Sequence, residues 1–225
     1  MIFQLEKDVI LFPDVRLAEE DGLLAVGGDL CTNRLLEAYK NGVFPWYSDD
    51  TPIMWYAPHE RFVLNPKQIK VSKSMSRILA KNVFDISFNK DFGAVMQNCS
   101  AIARRGQDGT WIVDEMLSAY NRLHEEGYAH SIEVWQSGEL VGGLYGVLIG
   151  KVFCGESMFS KVSDASKAAL IYLCQNFDVE LVDCQIYSSH LASMGAKVVD
   201  ASFFYDQLKQ QHIEINGLQK LFRYS

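Results

Sequence analysis

Residues 130–159, HSIEVWQSGELVGGLYGVLIGKVFCGESMF, decide the architecture. HSIEVW and LVGGLYGVLIG read as strands joined by the QSGE turn, a hairpin signal. KVFCGESMF reads as a third strand. Glu156 is its anomaly, in a run otherwise apolar, small or hydroxylic. Strands disfavour Glu, and a buried carboxylate is costly unless something pairs with it. In a regular strand Glu156 shares a face with Val152, Cys154 and Met158. It is then a candidate to receive a cationic group, or half of an internal salt bridge.

Helices and strands alternate on both sides of this meander. Upstream, QIKV reads as a short strand, and Ser72 or Ser74 caps a helix running to about Lys81. FDISFN is a strand, DFGAVMQNCSAIAR a helix and RRGQDGT a loop. TWIVDEMLSAYNRLHEEG is a helix that Gly127 stops. Downstream, Ser163 or Asp164 caps DASKAALIYLCQNF. VELVDCQ is a strand, SSHLASMG a short helix and SFFYDQLKQQHI a last helix. Helices around a mostly antiparallel central sheet predict an α+β fold. Residues 1–64 have a different texture, with turn signals and Pro13, Pro45, Pro52 and Pro58. Their one short helix is TNRLLEAYKNG, with Thr32 or Asn33 as N-cap and Gly42 past its end. We therefore expect a small, loop-rich N-terminal domain at 1–64 and a larger one at 65–225.

Hydrophobic residues make up 48% of the 225, enough for a real core. No run approaches the roughly 20 apolar residues of a membrane span. The first residues, MIFQLEKDVILFPD, carry early charges and no small-residue cleavage site, so a secretory signal is not expected. Cys31, Cys99, Cys154, Cys174 and Cys184 are odd in number and lack CxxC spacing, which argues against disulfides and zinc. The histidines form no HExxH pattern. A cytoplasmic protein without metal or cofactor is expected. Net charge is −7, against a protein that coats nucleic acid. Yet Arg61, Lys67, Lys70, Lys73, Arg77 and Lys81 fall in a stretch without acids, 61–84. On the helix Lys73, Arg77 and Lys81 share a face. They form either a grip on an anionic partner or an ordinary solvated face.

In LVDCQ the strand period points Asp183 and Gln185 the same way, with Cα atoms about 6.5 Å apart. Such a pair can orient an amine or polarise a carbonyl, or it can simply end a strand in solvent. Trp46 follows Pro45 in a loop, and Trp111 opens a helix after a glycine-containing loop. Loop aromatics stack on bases, though most tryptophans are packing residues. Gly142, Gly143, Gly146 and Gly150 mark a bulge or close approach in a strand. They do not form GxGxxG between strand and helix, so no dinucleotide site is expected.

The order GLLAVGGDL, NGVFPWY, PIMWYAPHERFVL, TWIVDEM, LHEEGYAHSIEVW, LVGGLYGV, FCGESMFS, ASKAAL and LVDCQ resembles the bacterial leucyl/phenylalanyl-tRNA–protein transferases, from about Phe12 to Ala196. The resemblance implies transfer of Leu or Phe, and Met less well, from aminoacyl-tRNA to a protein's N-terminal Arg or Lys. That transfer forms a peptide bond and marks the acceptor for degradation. It implies a small N-terminal domain before one like the GCN5-related N-acyltransferases. By the same resemblance Trp46 and Trp111 hold the 3′-terminal adenosine. Leu144, Phe153, Glu156, Leu170 and Val182 line the amino-acid pocket, Asp183 and Gln185 are the catalytic pair, and Lys73, Arg77 and Lys81 face tRNA. Leu144 and Leu173 stand where some members carry Met and Phe, and Ala80 where some carry a base. Two alternatives stand beside this reading. One is a related leucyl-transferase acting on acidic N-termini. The other is an acyl-CoA N-acyltransferase, for which no glycine-rich pyrophosphate turn is found.

Overall fold

The computed structural model describes residues 2–101 and 112–212. The first sixty residues are not merely loops. They build a four-stranded sheet from β1 (Phe3–Leu5), β2 (Leu23–Gly27), β3 (Phe44–Pro45) and β4 (Met54–Tyr56), in the order β1–β2–β4–β3. Strands of two to five residues are too brief to display alternation, which is why turn signals dominate the sequence there. Helix α1 (Thr32–Lys40) packs beside them, capped by Cys31 rather than Thr32 or Asn33. The fully buried Arg34 on α1 donates to the carbonyls of Glu6, Lys7 and Val9, fastening the segment after β1.

The second sheet has seven strands: β5 (Glu60–Leu64), β6 (Asp85–Phe88), β7 (Ala129–Gln136), β8 (Glu139–Ile149), β9 (Val152–Ser160), β10 (Leu181–Asp183) and β11 (Lys197–Asp200). Their order is β11–β5–β10–β9–β8–β7–β6. Every neighbouring pair is antiparallel except β9–β10, which is parallel. β5 lies in this sheet, so its residues belong structurally to the larger sheet although they precede the expected boundary after residue 64. QIKV forms no strand. Asn65 caps a single 3-10 turn at Pro66–Gln68 instead, because Pro66 is preset for a first helical turn.

The helices are α2 (Lys73–Ala80), α3 (Phe92–Ala101), α4 (Asp114–Glu125), α5 (Ala165–Asn176), α6 (Ser189–Ser193) and α7 (Ala201–Lys209). Ser72 caps α2 by accepting from the amide of Met75. α4 begins at Asp114, later than the sequence suggests, with two acids in its first turn. The strand period splits the core. Tyr145, Val147, Val152 and Cys154 join the cluster containing α3, α4 and the N-terminal sheet. Leu144, Leu148, Phe153 and Val182 join the cluster containing α5.

The β7–β8 hairpin turns at Ser137 and Gly138, both at positive φ, as a twisted two-residue turn requires. The next hairpin is irregular. Tyr145 pairs with Ser157 and Gly146 with Gly155, leaving Glu156 without an opposite residue. Glu156 is therefore the extra residue of a β-bulge. The bulge reverses the facing of the rest of β9: Met158 packs with the second cluster although Val152 and Cys154 lie in the first. The expected common face of Glu156, Val152, Cys154 and Met158 assumed a regular strand and does not form.

Gly146 lets the two strands close at this point. A Cβ there would meet the Cys154 carbonyl oxygen at 2.2 Å and the Phe153 ring at 2.7 Å. Gly146→Ala should lower unfolding stability by about 1–3 kcal/mol, the usual range for overpacking. The urea midpoint at neutral pH checks this, and an unchanged midpoint would contradict the packing described.

Candidate active site

β10 pairs with β9 only from Leu181 to Asp183, opposite Val152 to Cys154. β9 runs on to Ser160 while β10 ends, so a gap opens between them. A cavity of about 390 Å³ occupies it. Its walls come from the second half of β9, from residues 182–191 and from Phe44–Trp46 of the N-terminal sheet. Leu144, Phe153, Leu170 and Val182 supply its apolar floor, and Trp46, Glu156, Asp183 and Gln185 also line it. Trp46 is half-buried, tilted against Tyr56 with ring centres 5.6 Å apart. Trp111 lies outside the described residues. Leu173 is buried in the core around α5, and it is not among the residues lining the cavity.

Asp183 and Gln185 do not share a strand. β10 ends at Asp183, and Gln185 is left-handed, at φ 63°. The Ile186 amide donates to the Cys184 carbonyl at 2.8 Å, closing a tight turn around Gln185. Three bonds hold this strained turn. The Gln185 amide donates to Asp183 Oδ1 at 2.9 Å. The Cys184 amide donates to the Phe62 carbonyl, and the Phe62 amide to the Gln185 carbonyl. A non-glycine residue held at positive φ in a cavity wall is the kind of strain that functional sites retain.

The two side chains consequently serve different partners. Asp183 is 0% exposed and forms a two-pronged ion pair with Arg61, itself 1% exposed. Arg61 Nε donates to Oδ1 at 2.8 Å and Nη2 to Oδ2 at 2.7 Å. Arg61 Nη1 donates to the Gly42 carbonyl at 2.9 Å. Its guanidinium lies between Phe44 and Phe204, 4.8 and 4.6 Å from the ring centres. The pairing outweighs burial and raises the Arg61 pKa. Arg61 is thus no part of a basic surface stripe. Counting charges along the chain could not reveal that one cation faces inward.

Gln185 turns its amide to Glu156, donating from Nε2 to Oε1 at 2.8 Å. The Tyr120 hydroxyl donates to Glu156 Oε2 at 3.2 Å, and Tyr39 is hydrogen-bonded to Tyr120. Glu156 is 7% exposed and has no ion pair among the described residues. Of the two roles open to it from sequence, the internal salt bridge is absent among these residues. Burial raises its pKa to about 7, against the lowering effect of the Tyr39, Gln185 and Tyr120 hydrogen bonds, and the Asp183 charge raises it further. Arg61, Tyr39 and Tyr120 were not singled out as site residues from sequence. Tyr39 and Tyr120 look like core positions of amphipathic helices, and only their meeting across the two domains distinguishes them. On α2, Lys73, Arg77 and the following Lys81 are exposed, as is Ala80.

Residues 63–209 match the family model for leucyl/phenylalanyl-tRNA protein transferase, and residues 28–59 the model for its N-terminal domain. This chain belongs to that family. A leucyl/phenylalanyl-tRNA–protein transferase of Syntrophus aciditrophicus (strain SB) is 55% identical over 199 residues, covering 87% of this chain and 83% of that one. That of Syntrophobacter fumaroxidans is 49% identical over 217 residues, covering 95% and 92%. That of Flavobacterium johnsoniae is 50% identical over 213 residues, covering 93% and 100%. The chain is therefore an enzyme, a transferase. Within this transferase the cavity holds apolar floor, half-buried tryptophan and polar rim together.

Arg61→Ala should destabilise the transferase by about 3–5 kcal/mol, since it leaves Asp183 buried without a counter-ion. Thermal unfolding measures this directly. Glu156→Gln should act differently. The folded protein keeps the Glu156 proton up to about pH 7, whereas the unfolded chain releases it near the ordinary 4.5. Wild-type stability is therefore lost as pH rises through that window. Relative to wild type, the glutamine variant should be more stable at pH 8 than at pH 5 in urea unfolding.

Proposed function

We propose that this enzyme transfers Leu or Phe, and Met less well, from aminoacyl-tRNA to the N-terminal Arg or Lys of acceptor proteins, forming a peptide bond. The observation carrying this reading is an apolar cavity whose rim bears a hydrogen-bonded Glu156–Gln185 pair and a half-buried tryptophan. The floor suits an unbranched-at-Cβ apolar side chain, which supports Leu and Phe over Ile and Val. One methyl group discriminates by only about 1–3 kcal/mol. Trp46 stands at the rim, where it can stack on the 3′-terminal adenosine, with Trp111 as its expected partner. Lys73, Arg77 and Lys81 meet tRNA phosphates. Glu156 favours positive charge arriving on the acceptor side, which supports basic over acidic N-termini.

The aminoacyl ester is already activated, so amide formation needs no metal or nucleotide cofactor. The protein must place the amine against the ester carbonyl and manage one proton. Gln185 and Asp183 serve the first task, Asp183 by holding the turn that aims Gln185. An acyltransferase-like domain would accommodate this, with the acyl group in the gap where β9 and β10 part. Product proteins would carry an N-terminal signal for degradation, consistent with a cytoplasmic location.

Transfer of labelled Leu from Leu-tRNA to peptides starting with Arg, Asp or Ala tests the reading. Arg should be labelled at least tenfold faster than Asp. Preference for Asp would favour the acidic-acceptor alternative and end this one. Affinity for charged tRNA should fall with salt. In Lys73→Ala/Arg77→Ala the logarithmic salt slope should shrink by about 2, one for each phosphate contact. An unchanged slope would remove the stripe from the interface.

A further inference from the structure

Resting on that proposed transfer, we infer that Glu156 is the proton acceptor of the reaction and that Asp183, clamped by Arg61, is a positioning residue. The two carboxylates are both buried at the cavity but differ in what they have left to give. Asp183 Oδ1 already accepts from Arg61 Nε and the Gln185 amide, and Oδ2 from Arg61 Nη2. Protonating Asp183 would break the guanidinium pair and leave Arg61 buried and uncompensated, an expensive state. Among the described residues Glu156 has no such partner. Its oxygens accept from Gln185 and Tyr120, and Tyr39 also stands in hydrogen-bonding reach. An ionised carboxylate has room for about four such bonds, so a site remains for an arriving N–H.

The bulge reinforces this reading. A regular β9 has no place for an unpaired acid in its core. The extra residue at 156 places one in the wall of the reaction cavity, beside the turn carrying Gln185. The described groups facing it are Tyr39 from α1, Tyr120 from α4, Cys154 on β9, Asp183 at the end of β10 and Gln185 just after it. None is a cation, and Arg61 stands behind Asp183. Burial holds the Glu156 pKa near 7, within about one unit of an ordinary N-terminal amine at 7.7–8.0. Transfer of a proton between them is then nearly balanced, as effective general-base catalysis requires.

The step closes without a co-reactant. An N–H bond of the entering ammonium breaks toward Glu156, freeing the nitrogen lone pair. That pair forms the C–N bond to the ester carbonyl carbon, and the carbonyl π pair moves to oxygen. As the carbonyl re-forms, the bond from its carbon to the ribose oxygen breaks. The departing oxygen takes the proton from Glu156. The regenerated carboxylate then removes the surplus proton from the amide nitrogen and passes it to water. Ammonium and ester become amide, ribose hydroxyl and one released proton.

The test is the pH dependence of kcat from pH 5.5 to 9, with saturating Leu-tRNA and whichever N-terminal peptide the wild type accepts. Wild type should show a limb rising through about pH 7. Glu156→Gln should be slower by about 10²-fold on the plateau and lose that limb. Tyr120→Phe should keep the limb but move it to higher pH, because its hydroxyl favours the charged carboxylate. Asp183→Asn should move it to lower pH, because a negative neighbour is gone. Only a limb belonging to Glu156 moves oppositely in these two variants. A limb that follows the acceptor amine and ignores Tyr120→Phe overturns the inference. So does a Glu156→Gln enzyme within threefold of wild type, or a limb lost in Asp183→Asn but kept in Glu156→Gln. Should Glu156→Gln fail to fold, Tyr120→Phe alone decides. Wild type that labels none of the peptides ends the proposed function itself, and this inference with it.

Discussion

A single guanidinium ties the molecule together. Arg61 stands on β5, bonds Asp183 at the end of β10, reaches the Gly42 carbonyl, and lies between Phe44 and Phe204. Those partners belong to the small sheet, the large sheet and α7. A buried pair of this kind is not by itself a large source of stability, because desolvation offsets much of its attraction. It does penalise every arrangement in which the parts are separated or shifted, since each would strand a charge in the core. The end of β10, the turn after it and the wall formed by Phe44–Trp46 are therefore placed by one interaction.

The cavity arises from that placement and from two irregularities. β10 stops after three residues because Asp183 is recruited inward and Gln185 turns left-handed. β9 loses its partner there, and the bulge at Glu156 aims an acid at the vacated space. Apolar floor and polar rim are thus two consequences of one interrupted pairing. The two buried carboxylates of the rim are compensated differently. Asp183 has a dedicated cation, while Glu156 has, among the described residues, only hydroxyl and amide donors. This asymmetry makes one carboxylate a fixed part of the frame and leaves the other responsive to what enters.

Tyr39 and Tyr120 extend the same logic. They bring α1 of the small domain and α4 of the large one together at Glu156. Tyr47 adds a second bridge, donating to Glu115 at the start of α4. Lys73, Arg77 and Lys81 place three exposed cations close together along α2 and just after it, while others, such as Lys7, Arg122 and Lys197, lie elsewhere on the surface.

The central meander, the long helices, the Ser137–Gly138 turn and the basic face of α2 were all legible in local pattern. Each depends on residues within one turn or one strand of each other, and periodicity reports such neighbours faithfully. The apolar residues of the cavity were legible too, through long motifs resembling the transferase family. Other features were not. The short strands near the N-terminus carry no period of their own, and pairing alone makes them strands. The inward turn of Arg61, the separation of Asp183 from Gln185, and the bulge under Glu156 depend on partners as far away as 122 positions in sequence. Local chemistry sets which elements can form and which residues are available. Whether a charge is bare, paired or aimed into a cavity is settled only when distant segments close around it, because burial and counter-charge are properties of neighbours in space.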